Sequence, residues 1–155
     1  SNSLHHFDDL DRLFKQLESL LAPGGYLLIN EMMSDGLSKA QKSHMRLHHF
    51  AAEIDRFNGR FHLDTMKSKE ILEALQKSST KDIFDAWDMV VPVEREASEE
   101  DLHNIEQTID RLVDKLEDPN FQESMRIKGD KLKKYIHKKG FELATQMLVI
   151  MGEKL

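Results

Sequence analysis

Three groups of residues have the types and spacing to do chemistry. His5 and His6 are adjacent imidazoles, each able to take or give a proton near neutral pH. Asn30 and Glu31 follow the apolar run Tyr26-Leu27-Leu28-Ile29, so a carboxamide and a carboxylate stand together where a strand would end. Such a pair could orient an amine or a hydroxyl. His44 and His48 are four residues apart and share one side of a helix, with Asp55 further along that side. Two histidines at this spacing joined by a carboxylate could begin a zinc or iron site. The spacing is common on helices, however, and the ligand set is incomplete. No metal is expected, which leaves pocket lining or plain helix surface. No residue is assigned a catalytic role.

These groups depend on elements that the sequence marks clearly. Leu10, Leu13, Phe14, Leu17, Leu20 and Leu21 recur at helical spacing after Asp8 and Asp9, and Pro23-Gly24-Gly25 stops them. The short apolar run after that turn predicts a strand buried on both faces. Leu47, Phe50, Ile54 and Phe57 predict a helix from Ser38 to Asn58 with Gly59 as its cap, and Ile71, Leu72 and Leu75 predict another from Lys67 to Lys77. A second strand is expected over Asp82 to Val93. Ser98 and Asp101 form a capping-box pattern, and Leu102, Ile105, Ile109, Leu112 and Leu116 follow in steps of three and four. Asp118-Pro119-Asn120 interrupts before a helix over Phe121 to Lys138, making a helical hairpin, and a third strand is expected over Phe141 to Met151. Trp87 and most methionines are expected in the core.

The bulk properties narrow the function classes. At 155 residues, with 39% hydrophobic and 32% charged residues, the chain is sized for one globular domain. A net charge of −6 argues against broad nucleic-acid or anionic-membrane surfaces, and the lysines between Lys128 and Lys139 read as the solvated side of a helix. There is no cysteine, which removes disulfides, thiolate metal sites and a thiol nucleophile. No apolar run approaches the roughly 20 residues needed to cross a bilayer, and the start lacks signal-peptide character, so a cytoplasmic location is expected by default.

Two stretches resemble class I S-adenosylmethionine-dependent methyltransferases. Ser1-Asn2-Ser3-Leu4-His5-His6-Phe7 is similar to the segment leaving the fourth strand of that fold. Leu20-Leu21-Ala22-Pro23-Gly24-Gly25-Tyr26-Leu27-Leu28-Ile29 is similar to the turn into its fifth strand. The single amphipathic helix between them is the family's spacing.

The resemblance implies the carboxy-terminal half of a Rossmann-like α/β fold: a three-stranded mixed sheet (fifth, seventh and sixth strands, the seventh antiparallel between its neighbours) with six helices. It implies one partial domain over residues 1–155, with a substrate-side helical insert at 36–78 and a hairpin insert at 97–139. Leu4, His5 and His6 would then lie at the cofactor, S-adenosylmethionine, and Asn30, Glu31, His44 and His48 at a small-molecule substrate. The family's glycine-rich donor turn has no counterpart, since no Gly-x-Gly occurs in the chain. The chain alone is therefore expected to be inactive and to need the missing amino-terminal half. The bared edge of the fifth strand is expected to favour a homodimer or strand swap. A non-catalytic α+β interaction module built on the hairpin is the alternative.

Overall fold

The computed structural model describes residues 3–90 and 96–153. Ser1, Asn2 and the expected end of the second strand at Pro92 and Val93 lie outside them. The chain is α/β and forms two compact units: Ser1–Gly36, Phe61–Val91 and Thr145–Leu155 make the first, Leu37–Arg60 and Pro92–Ala144 the second.

The first unit opens with a 3₁₀ turn, Leu4–His6. Helix α1 (Leu10–Ser19) follows, with Asp9 accepting a hydrogen bond from the Arg12 amide as its cap. Strand β1 spans Leu27–Met32, α3 spans Ser68–Ser78, and β2 and β3 span Asp82–Met89 and Gln146–Gly152. The sheet order is β1-β3-β2, with β3 antiparallel to both neighbours. Period-two alternation puts Ile29, Glu31, Met147, Val149 and Met151 on the face that packs against α1 and α3. Phe14 from α1 and Ile71 and Leu75 from α3 fill that core and are fully buried, each contributing on the order of 2 kcal/mol by leaving water.

Helices α2 (Lys39–Phe57), α4 (Glu99–Asp114) and α5 (Pro119–Lys139) build the second unit. Their starts are written in the sequence. Ser38 and Gln41 form a capping box, Ser98 and Asp101 another, and Asp118 caps α5 with Pro119 at its first position. Phe50, Ile54, Ile109, Val113, Met125, Leu132 and Ile136 form the core. Gly129 lets α5 approach closely: an added Cβ would stand 2.9 Å from the Ile109 Cγ2 and 3.5 Å from the Phe50 ring.

Several expectations need correction. Five α-helices and one 3₁₀ turn stand among the described residues rather than six helices. The sheet holds no adjacent parallel pair among them, because β1 and β2 are separated by β3. β3 begins at Gln146, not Phe141. Residues 140–144 are tied to α2 instead, through Ser43 Oγ donating to the Gly140 carbonyl (2.6 Å) and the Glu142 amide to the Ala40 carbonyl (3.2 Å). β1 is not buried on both faces along its whole length, with Leu28 61% exposed, and Trp87 is 40% exposed. Leu28, Asn30, Leu148, Ile150 and Trp87 line the face opposite α1 and α3.

Candidate functional site

The site is organised by one buried carboxylate. Glu31 lies on the inner face of β1 and is fully buried. Its Oε2 accepts the amides of Ser3 and Leu4, both at 2.9 Å. Its Oε1 stands 2.5 Å from His5 Nδ1. Against a carboxylate that accepts two amide hydrogens through Oε2, the His5 ring is the donor, through Nδ1–H. Three donors make burial of the carboxylate tolerable, and together they fasten the 3₁₀ turn to the end of β1.

Around this pair the first unit gathers imidazoles. His5 is fully buried and stacks on His62 with ring centroids 5.3 Å apart and planes at 19°. His6 is exposed and lies 4.4 Å from His5 and 4.1 Å from His62 by the same measure. His62 is 4% exposed, and the Leu63 amide beside it donates to the His5 carbonyl at 2.8 Å. Leu4 points into the apolar core. Thus Leu4, His5, His6 and Glu31 do come together, and His62 joins them unforeseen. It lies in an irregular segment between α2 and α3, without periodicity or motif, so no local signal could have singled it out.

Asn30 faces the other side of β1. Its Oδ1 is buried and, among the described residues, has no hydrogen-bond partner. Such an atom is costly unless a donor reaches it. His44 and His48 sit on α2 in the second unit. The Ala144 amide donates to His44 Nδ1 at 3.0 Å, and Phe141 meets the ring edge-on at 5.6 Å. Burial holds the His44 pKa below its usual 6.5 because the charged ring would lose water. Asp55 pairs with Arg60 at 3.3 Å.

A cavity of about 310 Å³ runs beside β1, lined by Leu4, Phe7, Leu13, Leu17, Leu27 and Leu28 among others. None of its lining side chains is charged. β1 has β3 as its one hydrogen-bonded neighbour, and no described strand pairs with its other edge. No helix among the described residues is long and apolar enough to cross a membrane.

No protein-family profile matches the sequence, and no curated protein does. Solved structures match its fold. A cyclopropane-fatty-acyl-phospholipid synthase-like protein from Lactobacillus casei superposes with a TM-score of 0.61 at 11% identity, covering 97% of this chain and 53% of that one. Phosphoethanolamine N-methyltransferase 2 from Haemonchus contortus, held in complex with S-adenosyl-L-methionine, superposes at 0.40 and 16% identity, covering 99% of this chain and 32% of that one. The chain thus spans about half the length of the first of these. At such identities the likeness is one of fold alone: an α/β architecture.

Proposed function

We propose that this chain is the substrate-side half of an S-adenosylmethionine-dependent methyltransferase acting on a small molecule, and that β1, β3 and β2 are the fifth, seventh and sixth strands of that fold. The observation that carries the reading is the sheet order. An antiparallel β3 lies between β1 and β2, and the Pro23-Gly24-Gly25 turn leads into a β1 whose second edge takes no described strand. The expectation of a bared edge on this strand came with the resemblance and the small number of strands in the sequence.

The residues present do not fit the methyl donor by themselves. The chain has no Gly-x-Gly turn, and the cavity beside β1 offers apolar walls where ribose hydroxyls and an amino-acid group would need polar partners. No step is therefore derived through the cofactor. What this chain contributes is position. Glu31 holds the turn at Leu4–His6 against the strand end, so His5 and His6 keep one geometry at the carboxyl end of β1. In open α/β sheets that end faces the ligand crevice. The orphaned Asn30 Oδ1 supports a role as acceptor for a substrate N–H or O–H. Methyl transfer depends chiefly on alignment and exclusion of water, which a fixed turn and an apolar wall supply. His44 and His48 remain proposed as pocket residues on α2.

Reading the gene upstream of Ser1 tests this. A strand followed by a glycine-rich turn, roughly 60–70 residues earlier where the doubly wound fold requires it, is the expected result. Initiation next to Ser1 would contradict it and favour the interaction module.

A further inference from the structure

We infer that the imidazole cluster of the first unit is a binding site for a divalent transition metal, with His5 and His62 as ligands and Glu31 as the group that orients His5. The inference does not depend on methyl transfer, and it departs from the expectation of no metal, which concerned different histidines on α2.

Three observations support it together. His5 and His62 each present a ring nitrogen within 4.8 Å of the other, and both side chains are buried. Two histidines on one zinc, bound at 2.0–2.1 Å, hold their nitrogens about 3.4 Å apart, so the rings would close by at most about 1.4 Å. The Glu31 carboxylate behind His5 Nδ1 supplies the second observation. Ligating histidines nearly always give their other ring N–H to a carboxylate or carbonyl, which fixes the tautomer and raises the basicity of the ligating nitrogen. Here the carboxylate is itself locked by the Ser3 and Leu4 amides, so His5 Nε2 is pre-aimed. A structural explanation for that triad exists, since it pins the turn to β1. It does not explain why a second buried imidazole stacks on the first. The third observation is His6, an exposed imidazole beside the pair, its ring centroid 4.1 Å from that of His62. Nitrogen donors without thiolate favour zinc, nickel, cobalt or copper over magnesium or calcium, and the remaining positions would be taken by solvent. A solvent position on such an ion is where a substrate heteroatom would bind.

The test uses the full chain, purified without a histidine tag and stripped of metal. Zinc chloride is titrated by calorimetry and cobalt(II) chloride by visible absorption, with ¹⁵N spectra of the histidine rings recorded before and after zinc. The expected result is one equivalent bound, with the His5 Nε2 and a His62 ring nitrogen shifting on zinc addition. Affinity should fall at least tenfold in His62→Ala and by about 10–100-fold in Glu31→Gln. Zinc that shifts only the rings of α2, or affinity unchanged in folded His62→Ala, overturns the assignment, as does no uptake of either metal. The ring spectra of the unmodified chain decide the matter even if a variant fails to fold.

Discussion

Glu31 and His44 show how single residues here carry more than their local environment. Glu31 accepts three hydrogen bonds while fully buried, so replacing it unbalances all three donors at once. Glu31→Gln keeps the shape but leaves one acceptor oxygen in place of two, so its NH₂ faces either the Ser3 and Leu4 amides or His5 Nδ1. Breaking one partner of a buried charged network costs about 3 kcal/mol, and urea unfolding should show a loss of that size. A loss within experimental error of zero would mean that the turn is not fastened through this side chain. His44 gives a pH signature whose sign is fixed by burial. The folded ring has its pKa below 6.5 and so binds fewer protons than the unfolded ring. Its contribution is therefore fully present above pH 6.5 and is lost as pH falls from there through the lowered folded value. Protonation at Nδ1 also removes the acceptor for the Ala144 amide. His44→Asn keeps an acceptor without the titration, and its stability should decline less between pH 7 and pH 5 than that of the parent chain. Parallel declines would remove His44 from the account.

At the scale of elements, the helical hairpin and its partner α2 depend on a close approach at Gly129. Alanine there gains helix propensity of about 1 kcal/mol, yet its methyl would meet a branched carbon of Ile109 at 2.9 Å. Overpacking of that kind costs about 1–3 kcal/mol. Gly129→Ala should thus lower the unfolding midpoint slightly, and Gly129→Val clearly; a midpoint raised by both would show that the helices have room. The elements most legible in the sequence were those whose signals are local. Capping boxes at Ser38 and Ser98, Pro119 at a helix start, and a Pro-Gly-Gly turn before an apolar strand each act within a few residues. What was not legible arises from long-range partners. Phe141 to Ala144 looks strand-like, but α2 captures its backbone through the Ala40 carbonyl and His44 Nδ1. β2 carries a register irregularity between Ile83 and Asp85, and Trp87, expected in the core, is 40% exposed. The candidate site divides in the same way. His5, His6, Asn30 and Glu31 stood out because turn and strand end are local features. His62 did not, because only the folded chain brings residue 62 to residue 5.

For the whole molecule, the sheet of the first unit keeps exposed apolar residues on the face away from α1 and α3. α1 and α3 cover one face, while Leu28 and Trp87 on the other are substantially exposed and the β1 edge takes no described strand. Exposed apolar strand edges recruit further strands. Light scattering at high concentration should therefore reveal self-association that Leu28→Lys reduces; a clean monomer at every concentration would argue against an open edge. The same architecture governs the central claim, that the donor half of the proposed methyltransferase is not contained in this chain. Calorimetric titration of S-adenosylmethionine into the purified chain tests that claim most directly. The account predicts no measurable binding, and saturable binding at micromolar affinity would contradict it.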